Sequence, residues 1–397
     1  MTSVLVLGAG SYQAPLLRHL RESGFRVVAC DRNRDAPGKD FVDHFAPVDI
    51  VDRQAVLEFA REAKVDGVLP INEFGSPTAA YVAAALGFVG NPPESATWVT
   101  DKGHMRNRWR NAGMPQPDYR IGTDIQGIRR AAEEVGFPCV LKPTNSGGSG
   151  RGVSVVRSPN DIEWAYEFAR VHALDGRLIL EEFLDGVEMT VETITYPGRG
   201  TSVLAMSDKE KPDLRTRVAL SLNYPANFPD AVLQTVEQLV TAAVEAVSIT
   251  AGMAHTEVIV TKDGAKLVET GARGGGGHVF HPIIRAASGI DAPVIAARIA
   301  TGQTVTRESP RRSGAVYRFF NPPKGILREV LGLAEARAVE GVLDIGIVKR
   351  PGDRVGELPN SLHRAGFVVT AGPDRDTAIR RADRASALVH FVVQPDA

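Results

Sequence analysis

Cysteine is nearly absent from these 397 residues: Cys30 and Cys139 are the two, each set in apolar sequence, VVAC and PCVL. Two isolated thiols exclude a disulfide framework and a cysteine-based zinc site. They read as small core residues of a protein of the reducing cytoplasm. A surplus of charge of either sign is missing as well, since 46 Lys plus Arg face 47 Asp plus Glu for a formal net charge of -1. Such a balance leaves no long-range field for nucleic acid or an anionic membrane. Apolar runs stay well short of the roughly 18 residues that cross a membrane. MTSVLVLGAG at the N-terminus has no basic stretch before its strand-length apolar segment. Repeats and low-complexity tracts are lacking too. The expectation is a cytoplasmic protein whose partners are small molecules, not nucleic acid or membrane.

What is present is a globular composition, 43% hydrophobic and 23% charged, over a length of two or three domains at roughly 150 residues each. Residues 1–93 alternate short apolar strands with helical patterns. Strands are expected at 3–7, 26–30 and 67–71. The first helix carries Leu16, Leu17 and Leu20 on one face and ends near Gly24, and further helices follow about 54–64 and 76–86. That spacing predicts a parallel, doubly wound α/β domain. Residues 94–304 form a second unit, with a helix ending at Gly113 and Pro115 and a compact α/β segment about 118–184. Further helices, about 230–247 and 282–300, flank a β-hairpin. Residues 305–397 read as an α+β unit with strands GAVYRFF and GFVVTAG and a last helix turning Ile379, Ala382, Ala385 and Val389 inward.

Gly8-Ala9-Gly10 after a strand, with Asp31 about twenty residues on, is a partial dinucleotide-binding fingerprint. Its third glycine is missing, because Ser11, Tyr12 and Gln13 follow. Glycines make the tight first strand–helix turn of such a sheet whatever the ligand, and that reading outweighs NAD.

Four features in the middle of the chain carry chemistry. Lys142 ends an apolar strand, VLKP, just before Asn145-Ser146-Gly147-Gly148-Ser149-Gly150-Arg151-Gly152. Backbone N–H groups free of Cβ can wrap anionic oxygens, and a lysine adds a point charge. Taken alone, the run could equally be a flexible surface loop. Second, Glu181-Glu182-Phe183-Leu184-Asp185-Gly186-Val187-Glu188 ends a strand in carboxylates and places another beyond a glycine turn. Strand-edge backbone can read an adenine and a carboxylate can bind ribose hydroxyls; solvated hairpin charge is the plainer alternative. Third, HTEVIVT and AKLVE flank Lys262-Asp263-Gly264, a hairpin signal. A three-residue loop pairs Thr261 with Ala265 and so sets Glu257 opposite Glu269. Like charges so placed repel unless neutralised, and Mg2+ shared with nucleotide phosphates is the natural neutraliser. A two-residue loop would put them on opposite faces. Fourth, Gly271-Ala272-Arg273-Gly274-Gly275-Gly276-Gly277-His278 follows at once. Four consecutive glycines suggest backbone approach to a ligand rather than packing, with Arg273 free to fork a carboxylate or phosphate. His278 and His281 could touch substrate, although a lone histidine is more often structural.

Together these residues resemble the ATP-grasp superfamily over essentially the whole chain. GAGSYQ looks like the pre-ATP-grasp domain of biotin carboxylase-like members, which implies an N-terminal parallel-sheet domain, an ATP-grasp core with a mobile α/β lid, and a C-terminal α+β region. DKGHMR resembles the entry to the nucleotide core and implies an ATP contact from Lys102. VLKP with its glycine loop resembles the lid, implying phosphate contacts from Lys142 and the 146–152 backbone, Ser146 to Gly150 above all. EEFLDGVE resembles the hinge, implying adenine recognition at Glu181 to Leu184 and ribose binding by Glu188. Glu257 and Glu269 stand where the family holds Mg2+, with Mn2+ able to replace it. The usual metal motif has an asparagine where this chain has Gly271.

GARGGGGH and the ending from HRAGFVVTAG onward look most like L-amino acid ligases. The resemblance implies that a carboxylate attacks the γ-phosphate of ATP and an amine then displaces phosphate from the acyl phosphate. Lys142, Arg273 and the Gly275–Gly276 backbone would stabilise the transferring group. Glu73, Arg273, Gly274 and His278, with the 207–224 and 273–281 stretches, would line the carboxylate and amine pockets. Alternatives are an ATP-grasp enzyme activating bicarbonate or formate, or a nucleotide- or NAD-binding module without ligase chemistry. A homodimer is expected by analogy alone.

Overall fold

The run Ser3–Leu7 is buried at every residue, the pattern of a central parallel strand. In the computed structural model, which describes residues 1–212 and 216–395, it lies third in a parallel sheet. The order is His44–Ala46, Arg26–Cys30, Ser3–Leu7, Gly67–Pro70. The helices Ala14–Glu22, Arg53–Glu62 and Ser76–Leu86 cross between strands, and the first buries Leu16, Leu17 and Leu20 as its spacing requires. Gly24 follows that helix at φ +90°, the left-handed stop that a side chain would resist. Asp31 braces the first strand–helix turn: its carboxylate accepts from the N–H of Ala9 at 3.0 Å and of Asn33 at 2.9 Å. The partial fingerprint is thus held closed on itself.

The segment expected about 118–184 is a four-stranded antiparallel sheet, ordered Tyr119–Gly122, Leu178–Glu182, Cys139–Pro143, Ser154–Val156. Helices Ile125–Val135 and Ile162–Arg170 bury Ile128, Ala132, Ile162 and Ala165 against Leu141 and Leu180. The rest of the chain builds one eight-stranded antiparallel sheet, running Gly264–Gly271, Gly252–Thr261, Gly186–Tyr196, Gly200–Glu210, Ser221–Tyr224, Gly314–Phe320, Gly366–Gly372, Val342–Ile347. It is continuous across residues 304 and 305. Helix Asp230–Ala246 packs Val236, Val240 and Val244 onto Met189, Val191 and Val258. The single helix expected over 282–300 is two, Ile284–Ser288 and Ala292–Ala300, because Gly289 turns left-handed at φ +79° between them.

The last helix, Arg375–Leu388, buries Ala378, Ala382 and Ala385. A three-stranded sheet, Arg354–Val355, Gly325–Leu331, His390–Gln394, closes the C-terminal end. The largest core joins Leu16, Leu17 and Leu20 of the first helix to Ile194, Ile283, Ile295, Tyr317 and Phe319. That shared core fixes the N-terminal sheet against the large sheet and makes a cleft between them. Cys30 and Cys139 are buried free thiols, pushed up to about 12 by burial above all. No helix among the described residues is long and apolar enough to cross a membrane.

Candidate active site

The hairpin that carries the two carboxylates turns more tightly than expected. Thr261 pairs with Gly264, so Lys262 and Asp263 alone form the loop, and the Thr261 hydroxyl donates to the Gly264 carbonyl at 2.9 Å. Strict alternation from that turn would send Glu257 and Glu269 to opposite faces. The ladder slips instead: Val258 pairs with Leu267 and Glu257 with Glu269, leaving Val268 as an extra residue. A β-bulge thus restores the pairing by a different route. Arg106 holds the bulge, donating to the Leu267 carbonyl at 3.2 Å and the Val268 carbonyl at 2.7 Å.

Each buried carboxylate here has a cation. Lys209 bonds both Glu257 and, at 2.7 Å, Glu188, which also takes Lys211. Burial would raise Glu257 and Glu188, but Lys209 and Lys211 outweigh it and hold both below the usual carboxylate range. Lys102 lies 3.2 Å from Glu269; burial pulls Lys102 down, and Glu269 and Glu73 more than restore it. Glu181 accepts from Arg106 at 2.9 Å and Lys142 at 2.6 Å. Burial opposes its charge, yet Arg106 and Lys142 keep it at about 2. Lys142 goes the other way: burial lowers it despite Glu181, with Arg106 and Lys102 adding repulsion.

Arg273 Nε donates to Glu73 at 2.9 Å, joining the glycine segment to the N-terminal sheet. Glu73 Oε2 sits 3.1 Å from where a Cβ on Gly271 would stand, so Glu73 takes up room that the usual asparagine side chain would enter. The glycine run itself corrects the expectation of ligand contact alone. A Cβ at Gly274 would meet the Phe280 ring at 2.4 Å, at Gly275 the Val279 side chain at 2.3 Å, and at Gly277 the Tyr317 hydroxyl at 2.7 Å. Gly276 alone of the four faces open space. The run packs, and Gly274 and Gly275 stand behind the cavity wall while Gly276 and Gly277 line it. Gly275 N–H donates to the buried Glu192 at 3.1 Å, and His255 Nδ1–H donates to the same carboxylate at 2.5 Å.

His278, expected at the substrate, is also behind the wall. It is bonded to Asp344 at 2.8 Å and to the Tyr317 hydroxyl at 3.2 Å. His281 is half-buried and away from the cleft, stacked on His19 with centroids 4.3 Å apart.

The cleft is a cavity of about 670 Å³ walled by Lys102, Lys142, Glu181, Glu188, Glu257, Glu269, Gly271, Arg273 and the lid glycines. Glu73, Ser146 to Gly150, Glu182, Phe183 and Leu184 also border it. Glu182 is tied by its own N–H to the Asp118 carbonyl and by its carboxylate to Lys266. Its other end is aromatic, with Tyr12, Tyr317 and Phe319 around Arg364. The Arg364 guanidinium lies 3.4 Å from the Phe319 ring centroid and donates to the Ala219 carbonyl, while its Nε has no partner among the described residues. Burial brings it down to about 10. Of the 207–224 stretch, residues 213–215 lie outside the described residues.

Residues 107–278 match the model of the ATP-grasp domain, and residues 318–394 match L-amino acid ligase C-terminal domain 2. By that match residues 107–278 form an ATP-grasp domain. A formate-dependent phosphoribosylglycinamide formyltransferase from Rhodococcus jostii is 28% identical over 98% of this chain and 96% of its own length. One of the same name from Parabacteroides distasonis is 31% identical, over 51% of this chain and 52% of its own. Among solved structures, the L-amino acid ligase from Bacillus licheniformis superposes with TM-score 0.84 at 22% identity, covering 99% of both chains. Phosphoribosylglycinamide synthetase from Anaerococcus prevotii gives 0.77 at 18%, covering 99% of this chain and 100% of that one. The ATP-grasp fold therefore spans the whole chain.

Several residues that build the site escaped the sequence reading in whole or in part. Lys209 and Lys211 fall in the 207–224 stretch expected at the substrate pockets, but their pairing with Glu188 and Glu257 was not expected. Arg106 lies inside DKGHMR and was legible as part of the motif, but its carbonyl partners were not. Tyr12, Phe74 and Arg364 come from three distant loops and had no local signal.

Proposed function

We propose that the chain is an ATP-dependent carboxylate–amine ligase acting through an acyl phosphate. The observation that carries the reading is convergence: opposed Glu257 and Glu269, the cations Lys102, Lys142 and Arg273, and the glycine lid all wall one cavity. Glu257 and Glu269 fit Mg2+, since they offer oxygen donors from neighbouring strands, and a hard cation shared with phosphates needs few protein ligands. Among the described residues no group of three or more His, Cys, Asp or Glu forms a self-contained metal cage, which suits a metal that arrives with nucleotide. Mg2+ there would neutralise phosphate oxygens of ATP.

The chain's own residues do the rest. Lys142 and Lys102 set point charges on the phosphates, and the N–H groups of 146–150 close over them. Arg273 orients the donor carboxylate, whose oxygen attacks the γ-phosphorus while the bond to ADP breaks. The amine then attacks the acyl carbon and phosphate leaves. Closure of the lid keeps water from the acyl phosphate.

The L-amino acid ligase match over residues 318–394 supports an amino-acid-like donor. A second reading, formate as donor and formyl phosphate as intermediate, is favoured by the nearly full-length match to the Rhodococcus jostii formyltransferase. Phosphate release from MgATP is measured across amino acids singly and in pairs, with formate and bicarbonate, and with hydroxylamine as trap. A hydroxamate formed with one donor names it. ADP release with no dependence on any carboxylate refutes the ligase reading.

A further inference from the structure

The tip of the lid is tied from both sides. The carbonyl of Ser149, at the crest of the glycine loop, accepts from the Ser361 N–H at 3.1 Å and the Ser361 hydroxyl at 3.0 Å. Ser361 belongs to a short C-terminal turn, Ser361–His363, held by Asn360, whose side-chain oxygen accepts from the Leu362 N–H at 3.0 Å. From the other side the Phe74 ring lies on the loop so closely that a Cβ at Gly147 would stand 2.0 Å from it. Arg151 covers the same ring, its guanidinium 5.3 Å from the centroid, and folds back to donate to the Gly147 and Gly148 carbonyls at 2.7 and 3.1 Å. The Ser361 bonds to Ser149 and the packing of Phe74 on the loop are lost once the lid swings away from the cleft, whereas the bonds of Arg151 within the loop travel with it.

Both anchors adjoin groups that face the cavity. Phe74 follows Glu73, the partner of Arg273, and Ser361 shares its turn with Leu362 and lies three residues from Arg364. We propose that Ser361 and Phe74 are positioning residues that latch the closed lid, so that full closure over the phosphates depends on both flanking domains being set around substrate. The inference rests on the ligase reading. Its chemical consequence is coupling. With the latch broken, water in place of the amine attacks the acyl carbon, the bond to phosphate breaks, and the carboxylate is returned with ATP spent.

Ser361→Ala, Ser361→Thr, Phe74→Ala and the Phe74→Ala/Ser361→Ala pair test this in the full chain. One readout is phosphate released per amide formed. The other is trypsin cleavage after Arg151 with Mg2+ and a non-hydrolysable ATP analogue. Loss of one hydrogen bond corresponds to about fivefold in the open population. The double variant is therefore expected to release several phosphates per amide and to lose nucleotide-dependent protection at least about fivefold, with Ser361→Thr close to wild type. A double variant with wild-type stoichiometry and wild-type protection overturns the latch. Should ADP release prove independent of any carboxylate, the ligase reading fails separately, and the protease result still decides the latch.

Discussion

Replacing Glu181 by Gln should unmask what the buried charge pairs contribute. Glu181 is 3% exposed and touches two cations, Arg106, fully buried, and Lys142, 4% exposed. Glutamine keeps the shape and one acceptor but removes the charge, leaving both cations buried with no countercharge from this side chain, Arg106 keeping only its carbonyl partners. The carboxyl is held at about 2 against the ordinary 4.5, and at 1.36 kcal/mol per pKa unit that depression is worth about 3 kcal/mol. Loss of one partner from a buried pair elsewhere costs about 3–5 kcal/mol, which agrees.

Because the folded-state value is depressed, the contribution is complete above the unfolded value near 4.5. It is lost as pH falls towards 2. Urea unfolding followed through the lid strands should therefore show Glu181→Gln less stable by about 3 kcal/mol at neutral pH. The gap to wild type should narrow only below pH 4.5. A deficit under about 1 kcal/mol at neutral pH, or one that stays constant into acid, would refute the account of this pair as charge-stabilised.

Three further outcomes follow from the same geometry. Glu269→Gln should abolish ADP formation while circular dichroism stays that of wild type, and near-normal turnover would remove the metal assignment. Gly274→Ala should destabilise the protein by about 1–3 kcal/mol through the clash with Phe280 rather than by touching ligand; an unchanged melting temperature with lost activity would restore the ligand-contact reading. Arg364→Met should raise KM about tenfold or more for an amine that carries its own carboxylate or phosphate, and leave KM for hydroxylamine unchanged. Equal effects on both acceptors would take Arg364 out of substrate binding.

The parts of the site that could be read from sequence are those whose chemistry is local. VLKP with its glycines, the hinge carboxylates and the two hairpin glutamates each lie within 13 residues, so each set is close in space through local backbone geometry. The hairpin shows the limit of that logic. Loop length was misjudged by one residue, and the pairing of Glu257 with Glu269 survived only because Val268 bulges under the pull of Arg106 on two carbonyls. No periodicity in AKLVE announces a bulge, since the residue that holds it sits about 160 positions away. The glycine run failed for a related reason. Whether missing side chains make room for a ligand or for Phe280, Val279 and Tyr317 is a matter of tertiary packing, and glycine looks alike in both. Arg364 and Phe74 reach the cleft from loops whose placement is set by the shared core, not by their neighbours.

The ion pairs of the cleft also constrain how nucleotide can enter. The six cations Lys102, Arg106, Lys142, Lys209, Lys211 and Arg273 pair with the five carboxylates Glu73, Glu181, Glu188, Glu257 and Glu269, so the charges of the site nearly cancel. A buried charge left alone costs far more than a pair, and a nucleotide arriving with its metal must therefore exchange partners rather than add charge. On the proposed reading, Glu257 and Glu269 would hold the metal, and Lys209 and Lys102, now paired with them, would be freed to meet phosphate oxygens. Lys142 is held below the ordinary lysine range by burial, with Arg106 and Lys102 adding repulsion, so an anion beside it would favour its charged form. Arg106 bonds Glu181 and the Val268 carbonyl at once, and so anchors the hinge strand to the bulge. Binding of metal without nucleotide, or of nucleotide without metal, leaves half of this exchange undone. The two should accordingly bind with strong positive linkage.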